Sequence, residues 1–135
     1  MLKKVILAIA LAVFTVNLTA TAAPAARVNQ SSKEAVVGAF LKAVFVDYDM
    51  NAVWNLLSPE LQQKMLKANK NNKAATLKAM HTAIYSKFPK EQLPAVKKQM
   101  ENKEFFDFVV KDAISKMGKD DMIQLKGKWY INNFN

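Results

Sequence analysis

The amino-acid sequence predicts an α-dominated α+β domain of four or five packed helices that ends in a β-hairpin. Apolar residues recur at three- and four-residue spacing through most of the chain, which is the period of an amphipathic helix. Ser58-Pro59-Glu60 has the composition of a helix start. Near the end of the chain, Lys126-Gly127 separates two short strand-like segments, residues 122–125 and 128–131, which is typical of a two-residue hairpin turn.

Residues 1–22 have the pattern of a secretory signal peptide. Two lysines precede an apolar run at residues 5–18, which is shorter than the ~20 residues of a membrane-spanning helix. Ala20-Thr21-Ala22 supplies small residues before a cut after Ala22, and no Cys follows that could carry a lipid. The sequence therefore predicts a periplasmic or secreted protein with no transmembrane segment after cleavage; an uncleaved anchor is the alternative.

The remaining chain has the length of one domain, with residues 23–30 as a flexible linker and residues 31–135 as a single globular unit. From residue 23 onwards it carries 18 basic and 11 acidic residues, and Arg27 is its one arginine. Bidentate recognition of phosphate relies on the planar arginine fork, whereas lysine offers a point charge, so we do not expect nucleic acid as a partner. The positive charge indicates either a solubilising surface or an anionic envelope partner.

Helical periodicity and capping residues divide the domain into segments. Ser31 and Glu34 have the spacing of a capping box at the start of the first helix, and Asp49 precedes the second. The predicted helical segments are residues 32–46, 50–57, 58–68, 74–88, 94–100 and 104–117. We expect four or five packed helices from these segments.

Residues 104–117 fit two descriptions. As a helix, they place Phe106, Val109 and Val110 on one face, whereas residues 105–110 also have the composition of a strand but alternate poorly. We favour the helix, which ends near Gly118.

Three phenylalanines in four residues cannot all face one core from a single helix. Either another element covers Phe105 and Phe108, or they leave an apolar patch for a partner. An apolar groove near Trp54, Phe105 and Phe108 is therefore a candidate partner surface.

The basic residues are concentrated in the middle of the chain. Residues 61–98 contain nine lysines and one acidic residue, Glu91, whereas residues 101–121 contain four lysines and six acidic residues. The candidate surface for an anionic partner consists of Lys64, Lys67, Lys70, Lys73, Lys97 and Lys98. The first four step by three residues and fan over half a helix, which also suits a simple solvated face.

Catalytic and metal-binding patterns are weak in this sequence. His81 is the one histidine, Cys is absent, and no Gly-x-Ser-x-Gly motif occurs. Asp47 and Asp49 are explained by turn formation and capping. We therefore expect no catalytic residue, no metal and no cofactor.

Several short pieces resemble the nuclear transport factor 2-like (cystatin-like) family. They are Asp47-Tyr48-Asp49, Trp54, residues 56–60 and the closing residues 125–131. The resemblance implies an α+β cone with a curved sheet around a pocket, which is the alternative fold. Enzymes of that family place Asp and His in the pocket, and neither role maps to a residue of this chain.

These observations lead to three functional hypotheses. The first is an exported, non-enzymatic binding module of the bacterial envelope that uses an apolar groove or the lysine-rich surface. The second is a cationic protein that binds the envelope or a membrane surface electrostatically. The third is a pocket enzyme of the nuclear transport factor 2-like type.

Overall fold

A computed structural model describes residues 29–134 of the chain. The predicted signal peptide, its cleavage site at Ala22 and most of the linker at residues 23–30 lie outside the described residues. The helices are α1 (Lys33–Phe45), α2 (Met50–Leu56), α3 (Pro59–Ala68), α4 (Lys73–Tyr85), α5 (Leu93–Met100) and α6 (Lys103–Ser115). A 3-10 turn (Lys90–Gln92) precedes α5, and β1 (Met122–Leu125) and β2 (Lys128–Ile131) close the chain.

The predicted fold class is confirmed: helices dominate, and a two-stranded antiparallel sheet follows them. Residues 29–134 contain six α-helices where four or five were predicted, because the short segments α2 and α5 are both separate helices. Residues 103–115 form a helix, which settles the ambiguity between helix and strand in favour of the helix. In the described part of the chain, the region between α2 and β1 contains helices where the cone fold would have its curved sheet.

Side-chain caps fix where the helices begin. Asp49 accepts a hydrogen bond from the Ala52 amide, as predicted. The prediction for α1 is wrong by one residue: Ser32, and not Ser31, accepts from the Ala35 amide at 3.1 Å. Asn72 caps α4 and Asn102 caps α6, and neither was among the predicted caps.

Helix α1 is the centre of the core, with nine of its thirteen residues buried. It packs against α2, α5, α6 and β2. Gly38 faces α6, and a Cβ at this position would lie in van der Waals contact with the Phe106 ring at 3.4 Å. Removing such a large apolar surface from water is the main stabilising contribution to the fold.

The hairpin turn has the geometry of type I′, since both Lys126 (φ 50°) and Gly127 (φ 78°) have positive φ. The register pairs Met122 with Ile131 and Leu125 with Lys128. The predicted hairpin boundaries and turn are confirmed.

Ser58 ties the end of the hairpin to the helices. Its amide donates to the Ile131 carbonyl at 2.7 Å, and its hydroxyl donates to the Asn132 side-chain oxygen at 2.7 Å. The same hydroxyl accepts from the Leu61 amide and so caps α3. This junction holds the tail, residues 132–134, beside α3.

Candidate functional site

Of the three aromatic residues predicted to form a partner surface, two are part of the core. Trp54 is 6% exposed and Phe105 is 2% exposed, whereas Phe108 is 50% exposed. Phe105 is buried because it lies one helical turn before Val109 and the apolar face of α6 is wide enough to include both. Trp54 and Phe105 therefore offer little surface to a partner, and Phe108 is the exposed ring of the three.

An apolar groove lies elsewhere, between α3, α4 and the tail. Its volume is about 340 Å³, at the lower end of the ~300–1,000 Å³ typical of small-molecule sites. Its lining residues are Leu61, Met65, Ala68, Asn69, Ala79, Met80, Ala83, Asn133 and Phe134. Leu61 and Met65 are only half-buried, and α3 has no fully buried residue.

Alanines open this groove. Ala79 and Ala83 face it from α4, and Ala68 faces it from α3. Since these side chains are short, the two helices leave space between them that larger residues would fill. Leu61, Met65 and Ala68 recur at helical spacing on one face of α3, and within residues 29–134 this face stays partly uncovered.

The polar groups at the groove already have partners within the protein. The Asn69 side-chain amide donates to the Met65 carbonyl at 2.9 Å, and the Asn133 side-chain amide donates to an Asp121 carboxylate oxygen at 3.3 Å. The groove therefore offers mainly apolar contact to an occupant, and its methionines are adaptable side chains that suit such contact.

The groove belongs to the most cationic part of the described chain. We call residues 59–88, which comprise α3, α4 and their connection, the cationic hairpin; it contains six lysines and one acidic residue, Glu60. Glu60 pairs with Lys64 at 2.9 Å, and this hydrogen bond and the lysine charge lower the pKa of Glu60. Both side chains of this pair are exposed, so the pair holds Lys64 only weakly.

The six predicted lysines divide between two elements. Lys64 and Lys67 lie on α3, and Lys70 and Lys73 follow it into the connection and the first residue of α4. Lys67, Lys70 and Lys73 are exposed and take part in none of the ion pairs found among residues 29–134.

No lysine is itself a lining residue of the groove, but Lys97 and Lys98 belong to α5 and not to the two helices that border it. The Lys97 ammonium instead lies 5.9 Å from the centre of the Tyr48 ring. The lysines of the cationic hairpin are therefore the ones that accompany the groove.

The remaining polar residues singled out in the sequence have structural surroundings. His81 is exposed, with its ring 4.5 Å from the Tyr85 ring. Asp47 pairs with Lys42 at 3.2 Å, and Asp49 caps α2. Within residues 29–134, His, Cys, Asp and Glu form no group of three that could hold a metal ion, and no helix is long and apolar enough to cross a membrane.

No family model matches the chain, and no similar curated protein or solved structure was found. Function is therefore inferred from the groove and from the charges around it.

Proposed function

We propose that the protein is an exported, non-enzymatic binding module of the bacterial envelope that holds an anionic partner on its cationic hairpin. The observation that carries this proposal is the coincidence of two features on α3 and α4. These helices border the 340 Å³ apolar groove, and their segment carries six lysines against one glutamate.

Each feature alone has a simpler explanation. Scattered surface lysines make a protein soluble, and a shallow groove between two helices can result from small side chains. Together they provide apolar contact and unpaired positive charge in one region, which is what an anionic partner with an apolar part requires. Lys67, Lys70 and Lys73 support this interpretation, because no carboxylate within residues 29–134 forms an ion pair with them.

Vesicle co-sedimentation tests the proposal, with phosphatidylcholine vesicles compared with vesicles that also contain phosphatidylglycerol. The test variant changes Lys67, Lys70 and Lys73 to Gln. Each lysine near an anionic membrane contributes about 1 kcal/mol, so the triple variant should bind the anionic vesicles about 100-fold more weakly. Raising the salt from about 0.1 M to about 1 M should release the wild type, since the screening length falls from about 10 Å to about 3 Å.

A matched control changes Lys111, Lys119 and Lys128 to Gln. These lysines are exposed, lie outside the cationic hairpin and give the same change in net charge. The proposal expects this control to bind nearly as well as the wild type. Equal losses in the two triple variants would instead favour the second hypothesis, in which the net charge of the whole protein is what binds.

A further inference from the structure

We infer that the groove on the cationic hairpin seats the hydrocarbon chain of a single-chain anionic amphiphile, such as a free fatty acid, with its headgroup at the α3–α4 connection. This inference rests on the proposed function and names the ligand class of the same site. It follows from the orientation of the groove between α3 and α4 and from the positions of the lysines relative to the connection of these helices.

The groove has two different ends. The connection between α3 and α4 is four residues long, so the two helices run in opposite directions beside each other. Leu61 near the start of α3 and Ala83 near the end of α4 therefore line the end at which Phe134 lies, and Ala68 and Asn69 line the end at the connection. From Leu61 to Ala68 the helix rises about 11 Å.

Positive charge is concentrated at the connection end. Lys70 follows the groove-lining Asn69 directly, with φ 54°. Lys73 begins α4 two turns before Met80, on the same face of the helix. Phe134 lines the opposite end; no lysine is a lining residue at either end, so the difference between the ends rests on Lys70 and Lys73, which adjoin the connection. An elongated apolar groove with cations at one end matches an anionic headgroup joined to one hydrocarbon chain.

The interior of the groove favours hydrocarbon over a polar ligand. Its asparagine amides donate within the protein, and its walls are Leu, Met, Ala and Phe side chains. Each methylene group of a ligand that is buried against these apolar walls adds a similar amount of binding free energy. The chain thus supplies affinity, and the charge at the connection sets the orientation.

Methionine methyl groups report occupancy directly. With the purified protein labelled with ¹³C at the methionine methyls, laurate is added below its micelle concentration. Saturable shifts are expected at Met65 and Met80, which line the groove, while Met100 and Met122, which are buried elsewhere, stay unchanged. Dodecanol, which has the chain without the charge, should bind at least tenfold more weakly, and acetate should not shift either methyl.

A pair of variants on α4 makes the test specific. Ala83→Leu fills the groove, whereas Ala74→Leu adds the same side chain at an exposed position of α4 that does not line it. We expect Ala83→Leu to raise the Kd for laurate at least tenfold and Ala74→Leu to leave it unchanged. Both variants should keep the Met100 and Met122 signals of the folded protein.

Other outcomes overturn the inference. Unmoved Met65 and Met80 signals at saturating laurate, or equal binding of laurate and dodecanol, would contradict it. If laurate does not bind but the protein still binds phosphatidylglycerol vesicles through its lysines, the groove inference is wrong and the proposed function stands. If vesicle binding is also unchanged when the lysines of the cationic hairpin are replaced, both the groove inference and the proposed function are wrong.

Discussion

The Tyr85 hydroxyl donates a hydrogen bond to the Val44 carbonyl at 2.6 Å. Val44 lies in the last turn of α1, where carbonyls lack partners within the helix. Tyr85 is the last residue of α4, so this bond attaches the cationic hairpin to the central helix of the core. A partner held on α3 and α4 would therefore sit on an element that is fixed to the rest of the fold.

Replacing Tyr85 with Phe should reduce the free energy of unfolding at neutral pH by about 0.5–1.5 kcal/mol, the usual net value of such a hydrogen bond. Burial, with a smaller contribution from Tyr48, raises the pKa of Tyr85 from 10.0 to about 12. Between these values the folded state holds a proton that the unfolded state loses, so stability falls as the pH rises from about 10 to about 12. Urea unfolding at several pH values measures this component.

Comparing the wild type with Tyr85→Phe isolates the contribution of this hydroxyl, because every other titratable group is the same in the two proteins. The difference in unfolding free energy between wild type and variant should be constant below pH 10 and should shrink above it. A difference that stays constant through pH 12 would contradict the assignment.

Ser58→Ala should destabilise the protein by about 1–3 kcal/mol, because one hydroxyl both caps α3 and donates to Asn132. Asn72→Ala removes an exposed cap of α4 without a tail contact and should cost less. Thermal unfolding compares the two variants. Equal losses would mean that the bond to the tail contributes nothing.

Phe105→Ala should destabilise by about 3–5 kcal/mol, as is usual when a core phenylalanine is truncated. Phe108→Ala should change stability by less than about 1 kcal/mol, since half of that ring is exposed. Denaturant unfolding of both variants measures the contrast. Similar values for the two would show that the face of α6 buried in the core has been assigned wrongly.

Lys126→Asn should stabilise the hairpin by roughly 0.5–1 kcal/mol, because a lysine with positive φ is strained and Asn-Gly is the preferred type I′ turn. Lys128→Asn removes the same charge from a strand position and should give no gain. The midpoint of thermal unfolding distinguishes the two. No gain from Lys126→Asn would mean that the turn differs from type I′.

Local signals in the sequence were enough for much of the fold. Ser58-Pro59 and Lys126-Gly127 specify a helix start and a turn through their own backbone preferences, and both predictions are confirmed. Asp49 acts in the same way at α2. In contrast, the capping residue of α1 was misplaced by one position, because Ser31 and Ser32 have equal capping chemistry.

The candidate site depended on packing that no local pattern reveals. Trp54 and Phe105 were expected at a partner surface, but both are buried in the core. The groove is lined by short alanines of α3 and α4 and by Asn133 and Phe134 of the tail. Which apolar face stays uncovered is decided by the arrangement of all the helices, so the sequence indicated the lysines of this site but not the groove.

Hydrogen–deuterium exchange with and without phosphatidylglycerol vesicles tests the central claim most directly, because it locates the bound surface without any substitution. Exchange should slow in peptides from residues 59–88, whereas phosphatidylcholine vesicles should have no such effect. Residues 101–125 should exchange at the same rate in both samples. Protection confined to residues 101–125, or none at saturating vesicles, would contradict the account.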